Sequence, residues 1–454
     1  MPMSLTIEQR RQHRLETIEK SLSKRHRKEN TFRRLGLVAV LTGLTLVAIL
    51  FASILSKGVP AFWQATLYTE VTFDPDVIDI APKPERQEGE TQYAYDERMT
   101  QWLTQAGLVN WQSLIDASLE QALGEEVEPR QLRDLRALVA SGERYALRDR
   151  FTEDPSLLGE TVSLKMLASA DVDVWVKGNI DRDLPDARLQ LSPQSRAWVD
   201  VLQEQDVLRQ SFSTSLFMNT DSRSSLASAG LAGAFMGSLF MMMVVISLSV
   251  PLGVSSAIYL EEFAPKNRLT DLIEININNL AAVPSIVFGL LGASIFIGYL
   301  RLPLSAPLVG GLVLTLMTLP TIIIATRASL RSIPPSIRQA ALGIGASRVQ
   351  TVFHHVLPLA LPGILTGSIL GVAQALGETA PLLLIGMNAF VANVPGSPMD
   401  QSTALPVQIY LWQGNELRNF FEARTSAAII VLLGLMLSLN ALAIWLRKKF
   451  ETRW

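Results

Sequence analysis

The residue of this sequence with the strongest signal of a functional role is an acidic residue inside a long apolar stretch. The segment ALGETAPLLLIG, residues 375–386, places Glu378 and Thr379 close to 16 positions beyond Pro362, which is about 24 Å along a helix. A carboxylate in apolar surroundings is costly unless it faces a cavity or a partner. Glu378 and Thr379 are therefore candidates for a substrate pathway, with the alternative that Glu378 only forms hydrogen bonds between helices.

Four further residues are candidates for the same pathway, and two of them are cations. Arg301 and Arg327 lie at the ends of neighbouring apolar stretches, and either guanidinium could neutralise the Glu378 carboxylate. An ionised, unpaired Glu378 would repel an anion, so we expect it to be paired, protonated or used in packing between subunits. Asn279 and Ser285 are weaker candidates, because polar residues near helix ends are often simply satisfied there.

The segment SIPPSIRQAALGIGASRVQTVFHHVLPLALPG, residues 332–363, has the pattern of two short helices separated by a turn. Pro334 and Pro335 suit a helix start, and Gly345 permits a sharp turn. Ser347 is a plausible N-cap for the second helix. A basic, partly apolar protrusion of this kind suits insertion into a groove on another protein. The alternative is an ordinary amphipathic surface hairpin.

Several classes of catalytic chemistry are excluded by composition. The chain has no cysteine, which excludes disulfides, thiolate metal sites and cysteine nucleophiles. None of its four histidines lies in an HExxH pattern, and neither GxSxG nor the phosphate-binding pattern G-x-x-x-x-G-K-[ST] occurs. We therefore expect no catalytic residue, no metal and no cofactor in this chain, and no nucleic-acid partner.

Six apolar runs are long enough to cross a membrane, since a bilayer core about 30 Å thick needs roughly 20 helical residues. These runs are Leu35–Leu55, Gly230–Tyr259, Leu280–Leu300, Ala306–Ala325, Leu359–Met387 and Ala427–Leu446. Charged residues make up only 18% of the chain, whereas soluble domains carry about 25%. The sequence therefore predicts an integral membrane protein with six spans.

Basic residues indicate which ends of the spans face the cytoplasm. Residues 1–34 contain ten Lys or Arg and four Asp or Glu, and the C-terminal tail after residue 446 is also basic. The loop before the fifth run contains four arginines and no acidic residue, whereas residues 57–228 contain 29 acidic and 17 basic residues. We expect both termini and this loop in the cytoplasm and residues 57–228 outside.

Residues 56–228 are predicted to form a folded extracytoplasmic domain of α+β type. Ser192 is a plausible N-cap for a helix over residues 192–208. The stretches TVSLKMLAS and VDVWVKG, within residues 161–177, alternate apolar and polar residues and predict two strands. The segment contains no catalytic motif that we can identify.

The predicted helix pair resembles the EAA loop of ABC importer permeases, which reads E-A-A, three residues, G, nine residues, I-x-L-P. The matching residues are Gln339, Ala340, Ala341, Gly345, Leu357 and Pro358. Gln339 stands where Glu is usual, and His355 stands where Ile or Val is usual. The resemblance implies that this loop docks on an ATPase dimer, a separate chain that binds ATP and Mg.

Four further stretches resemble the PstA-type permeases of phosphate importers. They are GETAPLL (377–383), NNLAAVPSIVFGLLG (278–292), TLPTIIIATRASLRSIPPS (318–336) and YLEEFAPKNRLTDLIEININ (259–278). The resemblance covers roughly residues 230–450. It implies an all-α six-span membrane protein with a type I ABC importer permease core, into which the α+β extracytoplasmic domain is inserted, and transport of phosphate by alternating access.

The implied organisation has five parts, and the implied complex has several partners. The parts are a cytoplasmic basic tail (1–34), a first transmembrane helix (35–55), the inserted domain (56–228), a permease core with five transmembrane helices (229–446) containing a coupling loop (327–358), and a cytoplasmic tail (447–454). The partners are a paralogous PstC-type permease, a PstB-type ATPase dimer, a PstS-type periplasmic phosphate-binding protein, phosphate and the lipid bilayer of the bacterial inner membrane.

Two alternatives to phosphate import remain at this point. A permease of the same class could carry another oxyanion, such as molybdate or sulfate. A membrane sensor could use residues 56–228 as a sensing domain, but it should then carry a signalling domain in the cytoplasm. The largest cytoplasmic piece predicted here is a tail of 34 residues, which argues against a sensor.

Overall fold

A computed structural model of the chain describes residues 7–180, 182, 185–186 and 189–450. The outer ends of the two predicted tails, residues 1–6 and 451–454, lie outside these residues. The described residues are mostly helical and contain one three-stranded sheet. They divide into two compact units, one ending at Ser56 and one beginning at Lys57.

The first unit consists of helix α1 up to Ser56; the helix itself, Ile7–Gly58, has 52 residues. At 1.5 Å per residue this helix is about 78 Å long, more than twice the thickness of a bilayer core. Its apolar C-terminal part exposes Leu35, Leu44 and Leu50. Residues 7–34 of the predicted basic tail and the predicted first span therefore belong to one continuous helix.

The chain between Lys57 and Ser228 forms an antiparallel sheet covered by helices. The sheet has the strand order β2–β1–β3, with β1 at Trp63–Thr72, β2 at Thr161–Leu167 and β3 at Leu208–Phe212. The helices are α2 (Gln92–Leu108), α3 (Trp111–Leu123), α4 (Leu132–Arg136), α5 (Glu143–Glu153), α6 (Ala170–Val176), α7 (Pro193–Glu204) and α8 (Thr214–Met218). Short 3₁₀ turns are Val59–Phe62, Pro155–Leu157 and Leu226–Ser228.

Aromatic side chains form the centre of the core between the sheet and α2, α3 and α5. The Phe151 ring lies 5.4 Å from the Trp111 ring and 6.1 Å from the Phe73 ring, centroid to centroid. All three residues and Trp102 are buried. Burying each large side chain contributes roughly 1.5–3 kcal/mol of hydrophobic free energy, so this segment has a core of its own.

One of the two predicted strands in residues 161–177 is wrong. TVSLKML forms β2, but VDVWV lies in helix α6, where the Ser169 side chain accepts a hydrogen bond from the Val172 N–H. The Asp173 carboxylate accepts hydrogen bonds from the Ala65 N–H at 2.7 Å and from Lys177 Nζ at 2.6 Å. Because α6 is buried on several sides, its sequence lacks the polar face by which a surface helix is identified. The predicted N-cap at Ser192 is confirmed, since its side chain accepts from the Ser195 N–H.

The chain after Ser228 is built from helices. They are α9 (Ala232–Ile258), α10 (Arg268–Ala281), α11 (Ser285–Gly292), α12 (Pro307–Arg331), α13 (Pro335–Gly343), α14 (Arg348–Gln350), α15 (Leu357–Gly377), α16 (Ala380–Leu384), α17 (Leu405–Gln413) and α18 (Arg418–Phe450). Three π-helical segments, Tyr259–Phe263, Ala293–Tyr299 and Thr351–Val356, continue α9, α11 and α14.

Five helical stretches among the described residues are long and apolar enough to cross a membrane. They are Arg25–Phe62, Ala232–Phe263, Pro307–Arg331, Arg348–Gly377 and Arg418–Lys449. A sixth crossing results if α10 and the helix Ser285–Tyr299 count as one broken span. The structure thus contains five to six candidate spans where the sequence predicted six.

The third predicted span, Leu280–Leu300, is not one straight helix. Helix α10 ends at Ala281, and the next helix starts at Ser285 with its axis turned by 101°. Pro284 lies in the break. Proline lacks an N–H and disfavours helical backbone in the preceding residue, so the helix is interrupted even though the sequence stays apolar.

Small residues allow α15 and α12 to pack closely. A Cβ atom on Gly367 would lie 2.3 Å from Ala325 Cβ, and one on Gly363 would lie 2.4 Å from Ser329 Oγ. A Cβ on Gly371 would lie 3.1 Å from the Ile322 side chain. These three glycines therefore form a small-residue face on α15 that packs against α12.

A buried arginine joins the sheet-containing segment to α18. Arg424 is 3% exposed, and its guanidinium donates to the Ala227 carbonyl at 2.8 Å, to Gln64 Oε1 at 3.0 Å and to the Ala229 carbonyl. Burying a guanidinium is tolerated only when acceptors satisfy its N–H groups. These contacts, with a shared apolar cluster that includes Leu216, pack residues 57–228 against the apolar helices that follow Ser228.

The stability of the sheet-containing segment is expected to fall at neutral pH because of Glu143. Burial raises the pKa of the Glu143 carboxyl from its ordinary 4.5 to about 7. A folded-state pKa above the unfolded value contributes stability below about pH 4.5, and this contribution is lost as the pH rises through about 7. We expect Glu143→Gln to raise the Tm more at about pH 8 than at about pH 5. Exposed Glu88→Gln is the control, and an equal Tm gain at both pH values would contradict the prediction.

Candidate functional site

The loop between α12 and α15 forms the helix pair that the sequence predicts. Helix α13 starts after Pro334 and ends at Gly343, and Gly345 has a positive φ of 94°. Ser347 forms a capping box with Gln350, in which each side chain bonds to the other residue's backbone N–H. Cap and turn together fix the direction in which the chain re-enters the bundle.

The second helix differs from the prediction in its length. The sequence predicted a short helix outside the membrane followed by the fifth span, whereas the structure has one helical stretch from Arg348 to Gly377. Pro358 and Pro362 lie within it, so they do not separate the two parts. The second part of the loop and the fifth apolar helix are therefore one continuous helix, so the two can move together.

An exposed apolar surface covers the tip of this loop. Ile344 is 83% exposed, and Leu342, Val349 and Phe353 are about half exposed. We call these four residues the loop tip. The six predicted docking residues differ in exposure. Gln339, Ala340 and Gly345 are exposed, Ala341 is buried, and Leu357 and Pro358 are half-buried. Side chains of this kind, unpartnered on a protrusion, suit burial against another protein.

Three arginines and three glutamates tie the loop to the ends of α9 and α12 and to the middle of α10. Arg338 of α13 pairs with Glu262 at 2.6 Å and also donates to the Ile333 and Leu330 carbonyls. Arg331 pairs with Glu261 at 2.9 Å, and Arg327 pairs with Glu261 at 3.2 Å and with Glu274. We call these six residues the ionic cluster: Glu261, Glu262, Glu274, Arg327, Arg331 and Arg338.

The partial burial of the ionic cluster strengthens its pairs. The Glu262 and Arg338 side chains are 9% and 24% exposed, and charges shielded from water attract each other more strongly than on an open surface. The cluster therefore holds α13 firmly against two apolar helices. None of the three glutamates was predicted as a site residue, although the acidic pair in YLEEF directly after the second apolar run was a signal for Glu261 and Glu262.

A second feature is the meeting of two helix breaks among the apolar helices. Helix α15 ends one residue before Glu378, whose backbone is extended, and α11 begins at Ser285 after its own break. A Cβ on Gly289 would lie 2.7 Å from Pro381 Cα, so the backbones of α11 and α16 are in direct contact. The predicted continuous fifth span, Leu359–Met387, is thus interrupted at Glu378 and Thr379.

Two helix breaks that lie side by side can form a binding site inside a membrane. Unwound backbone is tolerated at membrane depth only where it is buried in protein or lines a cavity, and substrate sites of transporters commonly use broken helices. Glu378, Thr379 and Ser285 are half-buried at the two breaks. This arrangement places three of the predicted pathway residues in one region of the fold.

The remaining predicted pathway residues lie elsewhere. Arg327 belongs to the ionic cluster, so it does not neutralise Glu378. Arg301 is exposed with a positive φ of 54° at the far end of the helix that starts at Ser285, and Asn279 is exposed near the end of α10. Within the described ranges, Glu378 makes no ion pair within 4.0 Å, and no cluster of three or more metal-binding side chains occurs.

Comparison with known proteins gives two family matches and several relatives. Residues 249–454 match the model of the binding-protein-dependent transport system inner membrane components, and residues 19–186 match a domain of unknown function (DUF3333). The chain is 31% identical over 222 residues to the phosphate transport system permease protein PstA of Xylella fastidiosa, covering 48% of this chain and 76% of that protein. It is 30% identical over 239 residues to the protein of the same name from Yersinia pestis, covering 52% and 79%.

A further relative is matched over a shorter region. The chain is 34% identical over 173 residues to the probable ABC transporter permease protein YqgI of Bacillus subtilis, which covers 37% of this chain. The chain spans 56% of the length of that relative. The matches to these relatives cover from 37% to 52% of this chain.

Proposed function

Because the chain belongs to the binding-protein-dependent transport system inner membrane components and is of the PstA type, we propose that it is the permease subunit of an ATP-driven phosphate importer. It is a multi-pass protein of the bacterial inner membrane. The observation that carries the proposal is the loop tip, an exposed apolar surface on a helix pair that the ionic cluster fixes to the membrane helices.

The proposed role of the loop tip is to dock in a groove of a separate ATPase subunit. ATP and Mg bind to that subunit, and closure of the ATPase dimer moves the docked loop. Arg338 passes this movement to the end of α9 through Glu262, and the continuous helix from Arg348 passes it to the fifth apolar helix. Several apolar helices then move together, which is what alternating access requires.

The proposed substrate pathway runs past the paired helix breaks. Ser285 and Thr379 offer hydroxyl donors to a phosphate oxygen, and the start of α11 directs its backbone N–H groups toward the break. Glu378 repels phosphate unless a cation or a proton neutralises it. Because Arg327 is engaged elsewhere, the neutralising charge comes from a partner permease, from a proton or from rearrangement of this chain.

The proposed complex contains the partners that the family pattern implies. A paralogous PstC-type permease completes the membrane pathway, a PstB-type dimer hydrolyses ATP, and a PstS-type binding protein delivers phosphate from the periplasm. The loop that carries the loop tip and both termini face the cytoplasm in this arrangement, in line with their basic residues. Residues 57–228 form an inserted α+β domain on the periplasmic side.

The proposal is tested with the complex reconstituted in proteoliposomes. ATP hydrolysis should rise severalfold when the binding protein is added with phosphate, and it should stay at its basal rate with sulfate or molybdate. Stimulation by molybdate or sulfate instead of phosphate would support the permease function but would contradict phosphate as the substrate. Failure of the chain to assemble with any ATPase would refute the proposal.

Breaking the ion pair between Arg338 and Glu262 is expected to uncouple ATP hydrolysis from transport. Either Arg338→Ala or Glu262→Gln leaves one largely buried charge unpaired, which is strongly unfavourable. We expect each variant to lower phosphate uptake at least about tenfold, equivalent to about 1.4 kcal/mol of lost coupling. Because both changes break one contact, the double variant should be little worse than either single variant.

The control for this prediction is Lys266→Ala, which removes an exposed charge from the same cytoplasmic segment. It should transport phosphate at the wild-type rate. Fully additive losses in the double variant would show that the two residues act separately and would contradict the proposed coupling route.

Glu378→Gln is expected to reduce phosphate uptake about tenfold while the complex still assembles. Glutamine keeps the size of the side chain and one acceptor oxygen, but it replaces the other oxygen with an NH2 donor and removes the charge. Uptake is measured in cells, and assembly is measured by co-purification of the ATPase. Gln374→Ala, at an exposed position near the end of α15, serves as the control. Wild-type uptake by Glu378→Gln would mean that the carboxylate charge is not required.

A further inference from the structure

Four aromatic rings form a continuous row on the surface of the segment from Lys57 to Ser228. Phe62 stacks on Phe217 with 5.7 Å between centroids, Phe217 stacks on Phe212 at 5.8 Å, and Trp63 meets Phe212 edge-on at 6.2 Å. Neighbouring Met218 is 74% exposed. We call these five residues the aromatic row. A contiguous apolar patch of this kind marks contact with another protein or with a membrane.

The aromatic row lies where two apolar helices come together with this segment. Leu216, next to Phe217, accepts a hydrogen bond from the Leu231 N–H at 2.7 Å, and α9 starts at the following residue. Gly58, four residues before the row, packs on α18, where an added Cβ would lie 2.8 Å from the Ser426 backbone. Both α9 and α18 are candidate membrane spans, so the row lies at the level where the chain passes between water and lipid.

The boundary between water and lipid favours aromatic side chains accompanied by a basic residue. Aromatic rings are enriched at membrane–water boundaries, where an apolar ring can contact acyl chains beside polar headgroups. Lys165 lines the same open cavity of about 250 Å³ as Phe212 and Met218, and it is exposed. An ammonium group at this height can contact a lipid phosphate.

We propose that the aromatic row inserts into the boundary between headgroups and acyl chains, with Lys165 at the headgroup phosphates. The lipid surface on the side of residues 57–228 is thus the partner of this patch. The segment is then held at two places, by the buried Arg424 contacts on the protein side and by the aromatic row on the lipid side. This anchoring fixes the orientation of the segment over the membrane independently of the substrate that the protein carries.

The absence of cysteine from the chain makes a direct test simple. Met218→Cys provides a single site for a nitroxide spin label, and Tyr93→Cys provides a matched site on α2, where Tyr93 is 79% exposed. The full chain, with any subunits that co-purify, is placed in nanodiscs of phosphatidylethanolamine and phosphatidylglycerol. Collision rates of the label with oxygen, which partitions into lipid, and with a water-soluble nickel chelate are then compared.

If the aromatic row inserts into the lipid, the ratio of oxygen to nickel collisions should be severalfold higher at position 218 than at position 93. Phe217→Cys, within the same row, should behave like Met218→Cys. A ratio at both row positions equal to that of Tyr93→Cys would show a water-exposed patch. Protection from both reagents would show burial against protein. Either of these two results would overturn the proposal.

Discussion

Gly345→Val is expected to abolish phosphate uptake while leaving the fold of the protein intact. Gly345 has a φ of 94°, a backbone conformation that a β-branched residue adopts only with strain of about 1–3 kcal/mol. No atom lies within 4 Å of the position of an added Cβ, so the effect comes from the backbone and not from a clash. Relief of the strain turns the loop tip away from the direction that docking on the ATPase requires.

The measurements for this variant are phosphate uptake and the rate of ATP hydrolysis by the complex. Uptake should fall more than about tenfold, a change of more than about 1.4 kcal/mol, and hydrolysis should lose its response to phosphate. Gly343→Val is the matched control, because Gly343 also has open space around its Cβ position and lacks a positive φ. Equal activity in both variants would show that the turn at Gly345 does not set the coupling geometry.

Gly289→Ala is expected to disrupt the paired helix breaks with a single added methyl group. The new Cβ would lie 2.7 Å from Pro381 Cα and 2.9 Å from the Pro381 carbonyl oxygen. Both atoms belong to the backbone, so α11 and α16 must move apart. Overpacking of this kind costs about 1–3 kcal/mol, and the shift changes the surroundings of Glu378. Uptake and Tm should both fall.

Gly298→Ala provides the control for this prediction. An added Cβ there comes no closer than 3.5 Å to another atom, the Ala293 carbonyl oxygen. Alanine favours helix over glycine by up to about 1 kcal/mol, so Gly298→Ala should leave the Tm unchanged or raise it. A Tm increase in Gly289→Ala as well would mean that the helix preference outweighs the contact and that the two backbones are not tightly packed.

Local signals in the sequence predicted much of the helix arrangement. Four of the six apolar runs correspond to single long helices, α1, α9, α12 and α18, because the length of an apolar run is itself the physical requirement for crossing a bilayer. Ser192 and Ser347 were identified as N-caps because a cap depends on residues only two or three positions away. The PstA-type family and the mostly helical fold are confirmed.

The errors occurred where tertiary packing decides the local structure. Apolar composition gave a continuous third and fifth span, whereas the structure interrupts them at Pro284 and Glu378. Each break has a proline beside it, Pro284 in the first and Pro381 three residues after Glu378. Helix α6 was predicted as a strand because burial on several sides removed its polar face.

The ionic cluster and the Arg424 contacts were out of reach of sequence patterns. Glu262 and Arg338 are 76 positions apart, and Arg424 and Gln64 are 360 positions apart. No local spacing relates such residues, so their pairing becomes visible only in the folded chain. For the same reason Arg327 was expected as a partner of Glu378, whereas it pairs with Glu261 and Glu274.

The proposed function is tested most directly by measuring the uptake of radiolabelled phosphate into cells. This gene and any redundant phosphate systems are deleted from those cells beforehand. Sulfate and molybdate uptake are measured in the same cells. We predict that phosphate uptake depends on the reintroduced wild-type chain, whereas sulfate and molybdate uptake do not change. Loss of another oxyanion's uptake with intact phosphate uptake would contradict phosphate as the substrate, and no uptake defect at all would contradict the permease function.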